Sequence, residues 1–289
     1  MKRLLLALST TLFSFAAFAA DSPAGAFQGV AGLQLYSFRN EFKKDGVPAT
    51  LDLAKSFGIT EVETASTYGM PPADFRKELE QRGLKPISGH FQYDALAKDI
   101  DAAVREAKTL GLQYAICPWI SHGIGDFTEA DAHRAAADFN KWGEAFKKEG
   151  IRFGYHCHGY EFRPRDDGST LFDLLMAETK PEFVLFEMDV FWVTSPGQDP
   201  VKLLEKYPTR WKLMHLKDMR KGARTGVYTG HAPLEDDVPL GTGQVDWPSV
   251  LKTAAKVGVE HYFIEDESPT STQGVPKTIA YLETLKAKK

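Results

Sequence analysis

Short apolar runs alternate with longer stretches of helical period along most of the chain. The apolar runs are 32–36 (GLQLY), 59–63 (ITEVE), 86–91 (PISGHF), 113–117 (QYAIC), 183–189 (FVLFEMD), 211–216 (WKLMHL) and 261–265 (HYFIE). A further run starts at Ile151, where Ile151, Phe153 and Tyr155 alternate with Arg152 and Gly154. Each has the length of a buried strand. Between them, helices are predicted at 49–57, 72–82, 94–110, 128–148, 171–178, 199–206, 247–257 and 277–286. Gly58, Gly83, Gly111, Gly150 and Gly258 stand where these end, and Pro72 opens one of them, as helix ends prefer. The stretch 220–240 breaks the rhythm. It is polar, is punctuated by Gly222, Gly226 and Gly230, and reads as a long loop. Eight strand–helix units over about 260 residues predict a parallel sheet closed as a single-domain (β/α)8 TIM barrel. An open doubly wound sheet would carry a glycine-rich phosphate loop after its first strand. Here that place holds SFRNEF, without a glycine.

The first residues obey a different pattern. Lys2 and Arg3 precede an apolar run interrupted only by Ser9, Thr10, Thr11 and Ser14, and Ala17-Phe18-Ala19 fits a small-x-small cleavage site. Residues 1–19 are therefore expected to be a secretory signal peptide, and 20–289 a catalytic barrel in the periplasm or outside the cell. No later stretch has the roughly 18 apolar residues of a membrane span. Cys117 and Cys157 are the two cysteines, too few for a disulfide framework; a single bridge and two buried thiols both remain open. The formal charge is −4, and losing Lys2 and Arg3 makes it more negative, which argues against a nucleic-acid partner.

In such a barrel the chemistry sits at the C-terminal ends of the strands. Those ends carry Tyr36, Glu63, His90, Trp119, His156 with His158, Asp189, His215 with Lys217, and Glu265, while Glu161 follows close behind His158. Polar strand ends are ordinary, because they face water. So many metal-ligand types among them are not. Alternation puts Glu187 and Asp189 on one face of strand six, with Asp189, being last, the expected ligand. A carboxylate, an imidazole and a carboxylate on three successive strands suit Mn²⁺, Mg²⁺, Co²⁺ or Zn²⁺.

The segments GLQLYSF, GYHCHGYEF, FEMDVFW, WKLMHLKD, LGTGQVDW and FIEDE together resemble the xylose-isomerase-like TIM-barrel superfamily, also called the sugar phosphate isomerase/epimerase family. The resemblance covers 29–285. It implies one divalent metal held by Glu, Asp, His and Glu from strands five to eight, carried over as Asp189, His215 and Glu265. The strand-five position is Glu161, with His156 as the alternative. The family's chemistry implies proton transfer beside a carbonyl through an enediolate, with Glu161 and Glu265 moving the proton. His156, His158 and Lys217 would assist, and Tyr36, Glu63, His90 and Trp119 would bind substrate.

Export shifts the expected substrate from a sugar phosphate to a free sugar or a keto-glycoside. The leading expectation is a metal-dependent sugar isomerase or epimerase. A lyase or hydrolase of 3-keto-glycosides is the alternative, and a non-enzymatic sugar-binding barrel the third reading. Nothing in the chain speaks against a homo-oligomer. The loop 220–240 lies at the active-site face and is a candidate lid.

Overall fold

The structure, a computed structural model, describes residues 24–123 and 127–287. The expected leader, 1–19, lies outside the described residues. The barrel strands are β1 (Ala31–Gln34), β2 (Glu61–Thr64), β3 (Lys85–His90), β4 (Tyr114–Cys117), β5 (Arg152–His156), β6 (Val184–Asp189), β7 (Trp211–Leu216) and β8 (His261–Ile264). All pair in parallel with their sequence neighbours. The ring closes where Ala31, Gly32 and Leu33 of β1 pair with Tyr262, Phe263 and Ile264 of β8. This is the closed (β/α)8 barrel that the alternating pattern predicts.

The barrel's interior is filled by Ile87, Tyr114, Ile116, Leu185, Leu213 and Phe263. Bulky side chains on some strands require their absence on others. A Cβ on Gly154 would stand 2.4 Å from Leu185 Cδ1 and 2.8 Å from Ile116 Cδ1, so β5 carries glycine in that layer. A larger cluster between sheet and helices buries the opposite faces, including Phe139, Trp142, Phe153, Phe186 and Trp211. Helix starts are set by local chemistry. Thr128 and Asp131 form a reciprocal capping box, as do Thr170 and Asp173. Gly111 and Gly258 end their helices in the left-handed conformation.

Several elements differ from the pattern-based expectation. The first helix begins at Arg39, not 49, because Gly46 (φ 80°, ψ 176°) joins two helical pieces across a kink. The expected helix at 94–110 is two, Tyr93–Lys98 and Ile100–Leu110, since Asp99 leaves the helical region to cap the second by accepting from Ala102 N–H. The last helix starts at Ser271. Residues 220–240 are not wholly irregular: Asp218–Met219 pairs antiparallel with Asp237–Val238, so the loop's two ends are stitched together.

That stitch has a local cause. Asp218, buried just past β7, accepts backbone N–H bonds from Met219, Gly241, Gly243 and Val245. One carboxylate thus binds the segment WKLMHLKD to the segment LGTGQVDW and fixes where the loop returns. At the opposite end of the barrel, Glu260 accepts from Tyr114 Oη and Arg152 Nη1, at 2.6 and 2.7 Å. Both cysteines are buried free thiols.

Candidate active site

Two layers of polar side chains stack at the C-terminal mouth of the barrel. The deeper layer is enclosed except where His90 and His156 reach the cavity above it. Glu63 accepts from Ser88 Oγ (2.6 Å) and Gln34 Nε2 (2.7 Å), and His215 Nε2 lies 2.6 Å from its Oε2. Glu187 Oε2 gathers three imidazoles: His156 Nδ1 at 3.1 Å, His215 Nε2 at 3.3 Å and His90 Nε2 at 3.4 Å. Burial disfavours charge on Glu63, Glu187 and His90, yet mutual attraction outweighs it. His90 is raised to about 9 because Glu63 and Glu187 face it, and the three imidazoles hold Glu187 well below the usual carboxylate range.

The upper layer is built on the other nitrogen of His215. Its Nδ1 lies 3.3 Å from Glu265 Oε2 and 3.7 Å from Asp189 Oδ2. Asp189 is fully buried; its Oδ1 accepts from Trp192 N–H, while its Oδ2 has no hydrogen-bond partner. A buried carboxylate oxygen left bare is costly unless something positive meets it. Metal–ligand bonds near 2.1 Å in a tetrahedral site put neighbouring ligand atoms about 3.4 Å apart. Asp189, His215 and Glu265 therefore fit a divalent ion in spacing, in donor type and in the free valence of Asp189. The Glu63 contact supports this use, because a proton held on Nε2 leaves the Nδ1 lone pair free.

His90, His156, Glu187 and His215 also lie close enough to share an ion. There, however, one carboxylate oxygen already serves three imidazoles, and His215 Nε2 is engaged by Glu63. The deeper layer is therefore suited to orienting His215, and the upper layer is the better fit for a divalent ion.

Above both layers is a cavity of about 420 Å³, lined by Tyr36, His90, Trp119, His156, His158, Phe191, Trp192, Lys217, Asp237, Glu265 and Glu267, with Gly230 to Leu234 among the residues closing it. Lys217 Nζ bonds Glu265 Oε2 at 3.1 Å and also Glu267 Oε1. Burial opposes its charge, but those two carboxylates hold the ammonium well above its ordinary pKa. His158 is the reverse case: burial first, then His156 and Lys217, push it well below its ordinary value, so it is a neutral imidazole. It stacks on Trp192 at 4.4 Å between centroids, and its Nδ1 has no partner.

Residues 51–285 match the family model described as xylose isomerase-like TIM barrel. The chain belongs to that family. Among its curated relatives, an inosose dehydratase of Clostridium botulinum (strain Eklund 17B / Type B) is 29% identical over 250 residues, 74% of this chain and 80% of that one. Another, from Clostridium botulinum (strain Alaska E43 / Type E3), is 25% identical over the same shares. A solved sugar phosphate isomerase/epimerase from Parabacteroides distasonis ATCC 8503 superposes with a TM-score of 0.72 at 28% identity, covering 88% of this chain and 97% of that one.

Within this xylose isomerase-like barrel, Asp189, His215 and Glu265 come together, and Tyr36, His90, Trp119, His156, His158, Lys217 and Glu265 line the cavity. Two residues stand elsewhere than the sequence suggested. Glu63, expected to touch substrate, is fully buried behind His215, because β2 turns this side chain inward one layer below the cavity. Glu161, expected both as a ligand and as a proton carrier, lies outside both groups that could hold an ion and off the cavity wall. Gly159 (φ 97°) turns the chain into a short 3-10 helix, where Glu161 Oε1 accepts from His158 N–H. Its Oε2 is buried without a partner, and burial raises the carboxyl to about 7. His156 fills the place beside Asp189, with Nε2 3.9 Å from its Oδ2. Sequence reading did not single out Gln34, Glu267 or Asp237. Glu187 had a signal, since it shares a strand face with Asp189.

Proposed function

We propose that this chain is a divalent-metal-dependent lyase that acts on an unphosphorylated keto-polyol or keto-sugar, removing a proton beside the carbonyl and expelling the neighbouring oxygen. The observation that carries the reading is the meeting of Asp189, His215 and Glu265 beneath a cavity walled by Lys217 and His158. An ion held by those three would supply Lewis-acid polarisation of a carbonyl oxygen. Lys217 places its ammonium where negative charge develops on that oxygen. His158, neutral and on the cavity wall, takes the proton from the adjacent carbon. Trp119 and Tyr36 offer aromatic faces to a ring's C–H surface.

Elimination is favoured over isomerisation by the two dehydratase relatives and by the position of Glu161. The proton shuttle expected of Glu161 and Glu265 is not assembled, because Glu161 lies off the cavity wall. An isomerase or epimerase remains the second reading, supported by the name of the Parabacteroides distasonis relative. The cavity wall also bears on the substrate. Lys217 is its one Lys or Arg among the described residues, and two carboxylates already neutralise it. No Lys or Arg on that wall is left free to pair with a phosphate dianion. We place the reaction outside the cytoplasm on the strength of the leader read at 1–19.

Metal analysis of the purified chain and of Asp189→Ala tests the centre: one divalent ion per chain is expected, lost in the variant. Incubation with inosose in D₂O then tests the chemistry. An unsaturated, dehydrated product supports the lyase. Deuterium incorporation with only isomeric products supports the second reading, and neither result leaves the non-enzymatic barrel.

A further inference from the structure

The loop after β7 delivers a carboxyl group that the reading above does not use. Asp237 closes the antiparallel stitch opposite Met219 and lines the cavity, yet it is only 4% exposed. Its Oδ2 accepts from the Glu267 N–H at 2.6 Å, which fixes the side chain. Its Oδ1 is buried and has no hydrogen-bond partner. A buried carboxyl with one oxygen clamped and the other bare, on the wall of the substrate cavity, is built to meet something that enters the cavity.

Its surroundings decide its form. The charged groups facing it are Lys217 from the end of β7, and Asp266 and Glu267 from the segment after β8. Lys217 is the one cation of this group, and Glu265 and Glu267 already bond it. A further negative charge in a dry wall beside two other acids is unfavourable. Burial first, then Asp266, pushes Asp237 well above its ordinary value, against the pull of Lys217. A carboxyl kept neutral in such a place is a hydrogen-bond donor and a proton source. With Oδ2 accepting from backbone, the proton belongs on Oδ1, the free oxygen.

We propose that Asp237 is the catalytic acid that protonates the leaving oxygen. This rests on the lyase reading, and the step balances within it. His158 takes the proton from the carbon beside the carbonyl. That C–H pair becomes the new carbon–carbon double bond, and the C–O bond on the next carbon breaks with its electrons passing to oxygen. Asp237 Oδ1–H gives its proton to that oxygen, which leaves as water, or as an alcohol from a glycoside. Solvent then reprotonates Asp237 as His158 releases its proton, and no oxidant or reductant takes part. An isomerisation expels no oxygen, so protonation of a leaving oxygen is what sets this role apart from the second reading.

The test uses the full-length chain and Asp237→Asn, which is isosteric and keeps an oxygen for the Glu267 N–H. Two probes are compared: inosose, and an analogue in which fluorine replaces the hydroxyl that leaves. Fluoride departs without a proton, so the analogue bypasses the acid. The expected result is that D237N exchanges solvent deuterium at the carbon beside the carbonyl at close to the wild-type rate. Its elimination of water from inosose falls by about 100-fold or more, while fluoride elimination stays near wild type. Water elimination within threefold of wild type overturns the assignment. So does a parallel loss of exchange, water elimination and fluoride elimination, since that marks Asp237 as structural; circular dichroism of D237N checks that the fold is intact. If the wild-type chain itself neither exchanges nor eliminates, the lyase reading falls, and the failure is seen before any variant is made.

Discussion

Replacing Glu63 by glutamine changes one atom and removes one charge, 152 positions away from the imidazole it supports. The amide oxygen of the new side chain can still accept from Gln34 and His215, and its nitrogen can turn to Ser88 Oγ, so the shape of the deeper layer is kept. What is lost is the charge on the acceptor. Hydrogen bonds to charged groups are worth about 1.5–3 kcal/mol and neutral ones about 0.5–1.5. The bond at 2.6 Å from His215 Nε2 to Glu63 should therefore weaken by about 1–2 kcal/mol. That loss falls on the basicity of Nδ1, the nitrogen facing Asp189 and Glu265. Removing such support behind a metal-binding histidine typically costs about 10–100-fold in affinity. Calorimetric titration of Mn²⁺ or Zn²⁺ into wild type and E63Q should show this weakening. Ser88→Ala, which removes a different bond to the same carboxylate, should stay within about threefold. An unchanged dissociation constant in E63Q refutes the argument. Tighter binding refutes it more specifically: it would mean that the ion prefers the deeper layer, where His215 Nε2, His90, His156 and Glu187 compete with Glu63.

Further predictions concern the scaffold and the loop. Gly154→Ala forces a methyl group against Leu185 and Ile116 and should cost about 1–3 kcal/mol, read as a lowered melting midpoint; an unchanged midpoint would mean the barrel interior is looser than it looks. Burial works against the charge of Glu260, but hydrogen bonds from Arg152 and Tyr114 outweigh it and draw the carboxyl down to about 2. Its folded-state pKa is depressed, so its contribution is complete above about pH 4.5 and is lost as pH falls toward 2. With Arg152 and Glu260 about two-fifths exposed, solvent limits that contribution to about 1 kcal/mol or less. The gap in melting midpoint between wild type and Glu260→Gln should close over that window; a gap that persists at pH 2 contradicts it. Gly230 has φ +68°, and a Cβ there would lie 2.7 Å from Trp119 Cζ3. Gly230→Ala should penalise the observed loop position by about 1–2 kcal/mol, raising the KM for any accepted substrate about 5–30-fold with little change in melting midpoint. An unaltered KM would show that the loop does not shape the bound state.

Asp189, His215 and Glu265 are legible in the sequence as one group of strand ends, and the reason is geometric. A parallel barrel carries the C-terminal ends of all its strands to one centre, and the two-residue period says which side chains point inward. Helix ends were legible wherever a single residue dictates them, as at Gly111 and Gly258. The helix breaks at Gly46 and Asp99 were not, because glycine and aspartate occur inside many sequences that do not break there. Glu187 could be placed on the correct face but not at the correct depth. Depth depends on the stagger between strands, which shows itself only in the register of β6 against β7.

The chain by itself determined the alternation of elements, the closed parallel barrel and the residue types collected at its mouth. These follow from local rules: apolar period, capping chemistry and the inward alternation of strand side chains. Only the tertiary structure decided that Glu63 stands behind His215, that Glu161 sits off the cavity wall, and that Asp237 returns from a polar loop to line it. β2 and β7 are not neighbours in the sheet, so Glu63 and His215 meet only across the closed interior. Asp237 carries no local signal at all, and it reaches the cavity because Asp218 anchors the far end of its loop. Contacts between residues distant in sequence are set by packing the whole barrel, and the acid–base character of each group follows from the burial and neighbours that packing imposes.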